Sequence, residues 1–172
     1  MDEKRLIFLS FLSILIFFWS LSCLPSPEIK QAKVYEAQLL SLQPEPEGKV
    51  LPLVEKEWKF ELLRVENIKE FSAQEIKALL PRGIRFSEEE IKTIFAEPGK
   101  YKVLVYLKEI GASAVTTGEI TDLGLSATKD TAYTVRHYSL IRLVFKEEKL
   151  IHSRVWPRLD SSQLAEGVIR LK

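Results

Sequence analysis

The chain is short of the residues from which most small catalytic and metal sites are built. Among 172 residues it has one cysteine, two histidines, one methionine and seven glycines. A single cysteine excludes a disulfide framework and a thiolate metal site. His137 and His152 do not form a His-Glu-x-x-His pair, and no glycine-rich phosphate loop follows a strand pattern. Charge of one sign is missing as well. Lys and Arg total 25 against 24 Asp and Glu, so no general field draws the chain to nucleic acid. No serine has an evident base and carboxylate partner. Glu119 and Asp122, beside Gly118, read as strand-end charges rather than a paired-carboxylate site. These absences predict a protein that is not an enzyme, with no catalytic residues, no cofactor and no metal.

What is present begins with a long apolar run. In MDEKRLIFLSFLSILIFFWSLSC, Lys4 and Arg5 give a short basic start, diluted by Asp2 and Glu3. Leu6 to Leu21 is then apolar apart from Ser10, Ser13 and Ser20, and the run reaches Cys23. Three readings compete for residues 1–23. A cleaved secretory signal has a core of roughly 7–15 apolar residues and a small-residue cleavage site. This core is slightly long and lacks such a site. A spanning helix needs about 20 residues, which Leu6 to Leu24 just reaches. The third and favoured reading is a lipoprotein-type signal. Ser20-Leu21-Ser22-Cys23 resembles the lipobox of bacterial lipoproteins, departing from it at Ser20, where a branched aliphatic residue is expected. That resemblance makes Cys23 the lipidation site, with fatty acyl chains such as palmitate as the anchor. Leu24, not aspartate, follows Cys23, which implies the outer membrane, with the domain facing the periplasm. The alternative is the inner membrane, held by an uncleaved N-terminal helix.

Pro25, Pro27, Pro44, Pro46 and Pro52 make residues 24–57 read as a linker. Within it, Val50 to Val54 suggests a first strand that Pro52 places at an edge. Residues 58–172 then predict an α+β domain. Trp58 to Ile68 reads as a strand. Ser72 with Glu75, and Ser87 with Glu90, are capping boxes that open helices near 72–80 and 87–97. Tyr101 to Ile110 fits a helical stripe ending at Gly111, although strand alternation also suits it. Ser113 to Thr121 reads as a strand. Thr131 to Phe145 and Leu150 to Trp156 form a long C-terminal hairpin, and Asp160 opens a last helix over 160–171. The expected fold is a mainly antiparallel sheet covered by three or four helices.

The run LKEIGASAVTTGEITDLG (107–124), preceded by EIKTIFAE (90–97) and followed by the hairpin at 133–156, resembles a group of envelope lipoproteins. That group includes the curli secretion channel subunit (CsgG-like proteins), the lipoprotein activators of penicillin-binding proteins, and the N-terminal domain of the Tol translocation protein. The likeness covers roughly residues 86–156. It departs at the hairpin turn, where Lys146 to Lys149 stands in place of a Thr-Gly turn. It also departs in size, since the curli subunit is much longer and has membrane-spanning hairpins. The resemblance implies a protein that works by touching partners, as the short activator lipoproteins do.

One surface has interface chemistry. Arg136, Tyr138 and Arg142 alternate on one strand of the hairpin, and Arg154, Trp156 and Arg158 on the next. Arg, Tyr and Trp are the residue types that anchor protein interfaces. A basic face of this kind also suits anionic headgroups near an anchor. If Glu147-Glu148 is a two-residue turn, His152 sits opposite Leu143 and His137 lies about 20 Å further along, too far to share a metal. Both are expected to be exposed strand histidines. The expected function is a membrane-tethered, non-catalytic accessory lipoprotein with an envelope protein partner, a peptidoglycan synthase or an export assembly. The alternative is a structural subunit of an oligomeric secretion or transport complex.

Overall fold

The structure, a computed structural model, describes residues 25–69, 72–117 and 131–164. Cys23, Gly118, Glu119, Asp122 and most of the helix expected over 160–171 lie outside the described residues. Four strands form one antiparallel meander in the order β1 (Glu61–Ile68), β2 (Tyr101–Thr117), β3 (Thr131–Lys146) and β4 (Lys149–Asp160). The helices are α1 (Pro27–Ser41), α2 (Glu47–Pro52), α3 (Ala73–Ala78), α4 (Glu88–Ile94) and α5 (Ser161–Leu164). A π-helical turn over Leu53–Glu57 extends α2, and a 3-10 turn covers Arg82–Ile84. The class is α+β, as the sequence predicts, with five helices among the described residues.

Over Tyr101–Leu107 of β2 and Tyr138–Phe145 of β3 the sheet is buried on both faces, because alternate side chains enter two separate cores. Val103, Val105, Leu107, Tyr138, Leu140 and Val144 pack with Ile76, Ile84, Phe86, Ile91 and Ile94 of the α3–α4 region. Leu104, Tyr106, Ile141, Leu143 and Phe145 pack instead with Tyr35, Leu39, Val50 and Val54. Ala32, Tyr35 and Leu39 recur at spacings of three and four along α1, which gives that helix its buried stripe. Tyr35 stacks on Trp58 at 4.4 Å and meets Phe60 edge-on at 5.6 Å.

Two expectations are corrected. Tyr101 to Ile110 is not a helix but the first part of β2. A strand buried on both faces reads as a continuous apolar run, and in such a run Val103, Leu104 and Leu107 fall at helical spacing by coincidence. Residues 27–57, read as linker and edge strand, are mostly helical and docked on the sheet. Pro25, Pro27, Pro44 and Pro46 lie before or at helix starts, and Pro52 stands where α2 gives way to the π-helical turn. Pro27 occupies the first turn of α1, capped by the Ser26 hydroxyl, which accepts from the Ile29 N–H.

The local signals at the other helices are met. Both capping boxes form, at Ser72/Glu75 and Ser87/Glu90. The β3–β4 hairpin turns on Glu147 and Glu148, at φ of 50° and 67°. That left-handed pair is the geometry a two-residue hairpin needs, and Glu fills it less readily than Asn-Gly. Neighbouring backbone holds it: Glu147 N–H donates to the Lys100 carbonyl and Glu47 N–H to the Glu148 carbonyl. A register shift between Val144 and Phe145 puts His152 opposite Val144, one residue from the position expected.

Candidate functional site

The hairpin residues singled out from the sequence divide among three environments. Tyr138 is core, and Arg142 is completely buried. Arg142 and Arg154 are paired across β3 and β4, with Trp156 opposite Leu140, so these three share the α3–α4 face. Arg136 is exposed and, among the described residues, pairs with Glu109 of β2 at 3.4 Å. A register shift between Tyr138 and Leu140 leaves β4 with an extra residue and turns Arg158 to the opposite face, the side of α1. The six do not form one patch.

The Arg142 guanidinium lies 3.8 Å over the Phe86 ring and 5.2 Å from Trp156. It donates to the Ile84 carbonyl at 2.9 Å and pairs with Glu90. Glu90 therefore has two roles. One carboxylate oxygen accepts from the Ser87 N–H and caps α4, and the other meets Arg142 and, at 3.2 Å, Arg154. Burial works against the Glu90 charge, but the Ser87 N–H and the two arginines outweigh it and hold the carboxyl below its usual range. Burial likewise pushes Arg142 down to about 10, with Glu90 opposing the shift, so the pair stays ionised at neutral pH. His152, 3.8 Å from Glu90, is lowered by burial and by the adjacent Arg142. Arg154 and Trp156 lie 5.0 Å apart at the rim of this sealed centre, and Arg154 is half-exposed.

A second cluster, which no sequence pattern marked, lies at the far end of the sheet on the α1 side. His137 stands opposite Gly111 on β2 and opposite Asp160 on β4. Its Nδ1 is 2.7 Å from Asp160 Oδ1, and its Nε2 is 2.8 Å from Ser113 Oγ and 3.0 Å from Arg158 Nη2. Arginine can only donate, so Nε2 accepts and the ring proton sits on Nδ1, facing Asp160. Rather than an exposed strand residue, His137 is buried, whereas Ser113 beside it is open to solvent. Ser113, Val115, Tyr133, Val135, His137 and Asp160 help line an open cleft of about 560 Å³. A bulge at Ile110, between Glu109 and Gly111, makes the arrangement, because it shifts the β2 register by one residue. Gly111, read from the sequence as a helix end, marks that bulge once Tyr101 to Ile110 is taken as strand.

Among the described residues, no group of three His, Cys, Asp or Glu side chains is placed to hold a metal ion, and no helix is long and apolar enough to cross a membrane. Comparison with protein-family models, curated proteins and solved structures finds no significant match to the chain.

Proposed function

We propose that the protein is a membrane-tethered accessory protein of the cell envelope, acting by contact with a partner protein such as a peptidoglycan synthase or an export assembly. The observation that carries this reading is the apolar run that ends in Cys23 almost directly before a docked helix. Only Leu24 and Pro25 separate Cys23 from Ser26, the residue that caps α1. At ~3.5 Å per residue, that spacing holds the domain within about 10 Å of its point of attachment. Arg154 and Trp156 are the contact residues, since both rest on the rigid Arg142–Glu90 base and need little ordering on binding.

The anchor is tested by mass spectrometry of the mature N-terminus, which should begin at an acylated Cys23. An intact N-terminus with a free Cys23 in the membrane fraction would leave the uncleaved helix as the anchor. A chain found outside the membrane fraction would end the tether reading. For the surface, a photo-crosslinking amino acid at position 156 should trap one envelope protein, whereas the same group at exposed Leu40 on α1 should not.

A second reading, an oligomeric structural subunit, has its own support at the β1 edge. Among the described residues β1 pairs only with β2, and its Leu62 and Val65 are exposed. A second copy paired antiparallel about Val65 sets Glu61 opposite Lys69 and Arg64 opposite Glu66, an arrangement of complementary charge. Gel filtration separates the two readings: a ring or dimer disrupted by Val65→Lys favours the subunit, and a monomer favours the accessory protein.

A further inference from the structure

We propose that Ser113 is a nucleophile for acyl transfer from carboxylic esters, with His137 as its base and Asp160 holding the imidazole. Three observations meet at this place. The hydroxyl and the base are 2.8 Å apart, the base and the carboxylate are 2.7 Å apart, and the serine opens onto a cleft. Nucleophile, base and orienting acid in hydrogen-bonded sequence are recognised by geometry and not by position in the chain. The tautomer is the productive one, since Nδ1–H faces Asp160. The Nε2 lone pair is within reach of both Ser113 Oγ and Arg158 Nη2, and accepts the serine proton when Arg158 turns away. Val115, Tyr133 and Val135 supply the apolar wall an acyl group requires, and Val115 and Tyr133 are direct cross-strand partners. Arg158 is the cation available to the developing oxyanion. In the resting site it shares Nε2 with Ser113 and lies 3.8 Å from Asp160. Its side chain is nevertheless 53% exposed, so the turn towards the substrate that the proposal requires is sterically open on the solvent side.

Ser113 Oγ bonds to the ester carbonyl carbon as its proton passes to His137 Nε2, and the carbonyl oxygen gains its negative charge beside Arg158. The carbon–oxygen bond to the alcohol then breaks, and the alcohol leaves with the proton from Nε2. Water, deprotonated by His137, attacks the acyl-serine carbonyl. The Oγ–carbon bond breaks, Oγ recovers the proton, and the carboxylic acid is released. This assigns chemistry to a chain whose histidine spacing predicts none, and it does not depend on the membrane tether.

The experiment is active-site labelling of the purified full chain in detergent micelles with a biotinylated fluorophosphonate. Oγ bonds to phosphorus, the phosphorus–fluorine bond breaks, fluoride leaves and His137 takes the proton. The expected result is one adduct, mapped to Ser113 and absent from Ser113→Ala, formed at least ~100-fold more slowly in His137→Asn and in Asp160→Asn. Hydrolysis of p-nitrophenyl butyrate should fall in the same order. No adduct at Ser113 in the folded wild-type chain overturns the proposal. So does labelling at an unchanged rate in either variant with a native circular dichroism spectrum. Asp160→Asn keeps the test decisive if His137→Asn does not fold, because the Asp160 side chain is 44% exposed.

Discussion

The two polar clusters on the sheet contrast in what surrounds them. The Arg142 centre is sealed: its cation is fully buried, it lies 3.8 Å over Phe86 and 5.2 Å from Trp156, and its counter-charge is 14% exposed. The His137 cluster has a buried ring, but its serine, arginine and carboxylate all reach solvent at the sheet end. A buried ion pair is costly to break, because the remaining charge has nowhere to go. An open cluster can lose a member to water. The sealed centre thus serves the fold and holds Arg154 and Trp156 in place, whereas the open one leaves Ser113, Arg158 and Asp160 in contact with solvent.

Removing charge from the sealed centre should have the largest effect. Glu90→Gln keeps the α4 cap but strips Arg142 of its counter-charge, and should cost about 4 kcal/mol in urea unfolding. Adding Arg142→Met to that variant should recover most of the loss, since the buried charge is then gone. Acid comes next. His152 is held neutral, so its protonation favours the unfolded chain as pH falls below 6.5. Glu90, lowered from 4.5, adds a second loss as pH falls below that value. A melting-temperature profile against pH should show both, and His152→Gln should abolish the upper one alone. At the open cluster, Asp160→Asn should cost only about 1 kcal/mol, for one solvent-facing hydrogen bond to His137 and an exposed pairing with Arg158 at 3.8 Å. Ser113→Ala should move stability by less than ~0.5 kcal/mol, because Nε2 keeps Arg158 as a donor.

The same contrast governs what could be read from the sequence. Ser72/Glu75 and Ser87/Glu90 are local patterns, and both helices start where those residues place them. The hairpin over Thr131 to Trp156 is equally local, and it is present. What was hidden depends on residues far apart in the chain. Glu90 reads as a cap, but its second role depends on Arg142, 52 residues away. Tyr101 to Ile110 looks helical because nothing in a ten-residue window announces that both faces will be covered. Leu39 and Tyr35 sit between prolines, and only the docked helix shows that the prolines flank it. Ser113, His137 and Asp160 are 24 and 23 residues apart, and the bulge at Ile110 decides which side chains share a face. A one-residue register slip would have sent Ser113 and His137 to opposite sides.

The claim that the sealed cluster carries the fold and the open one does not is tested most directly by paired urea unfolding of Glu90→Gln and Ser113→Ala. The expected result is a loss of about 4 kcal/mol for the first and less than ~0.5 kcal/mol for the second. Equal losses, or a greater loss for Ser113→Ala, would contradict it.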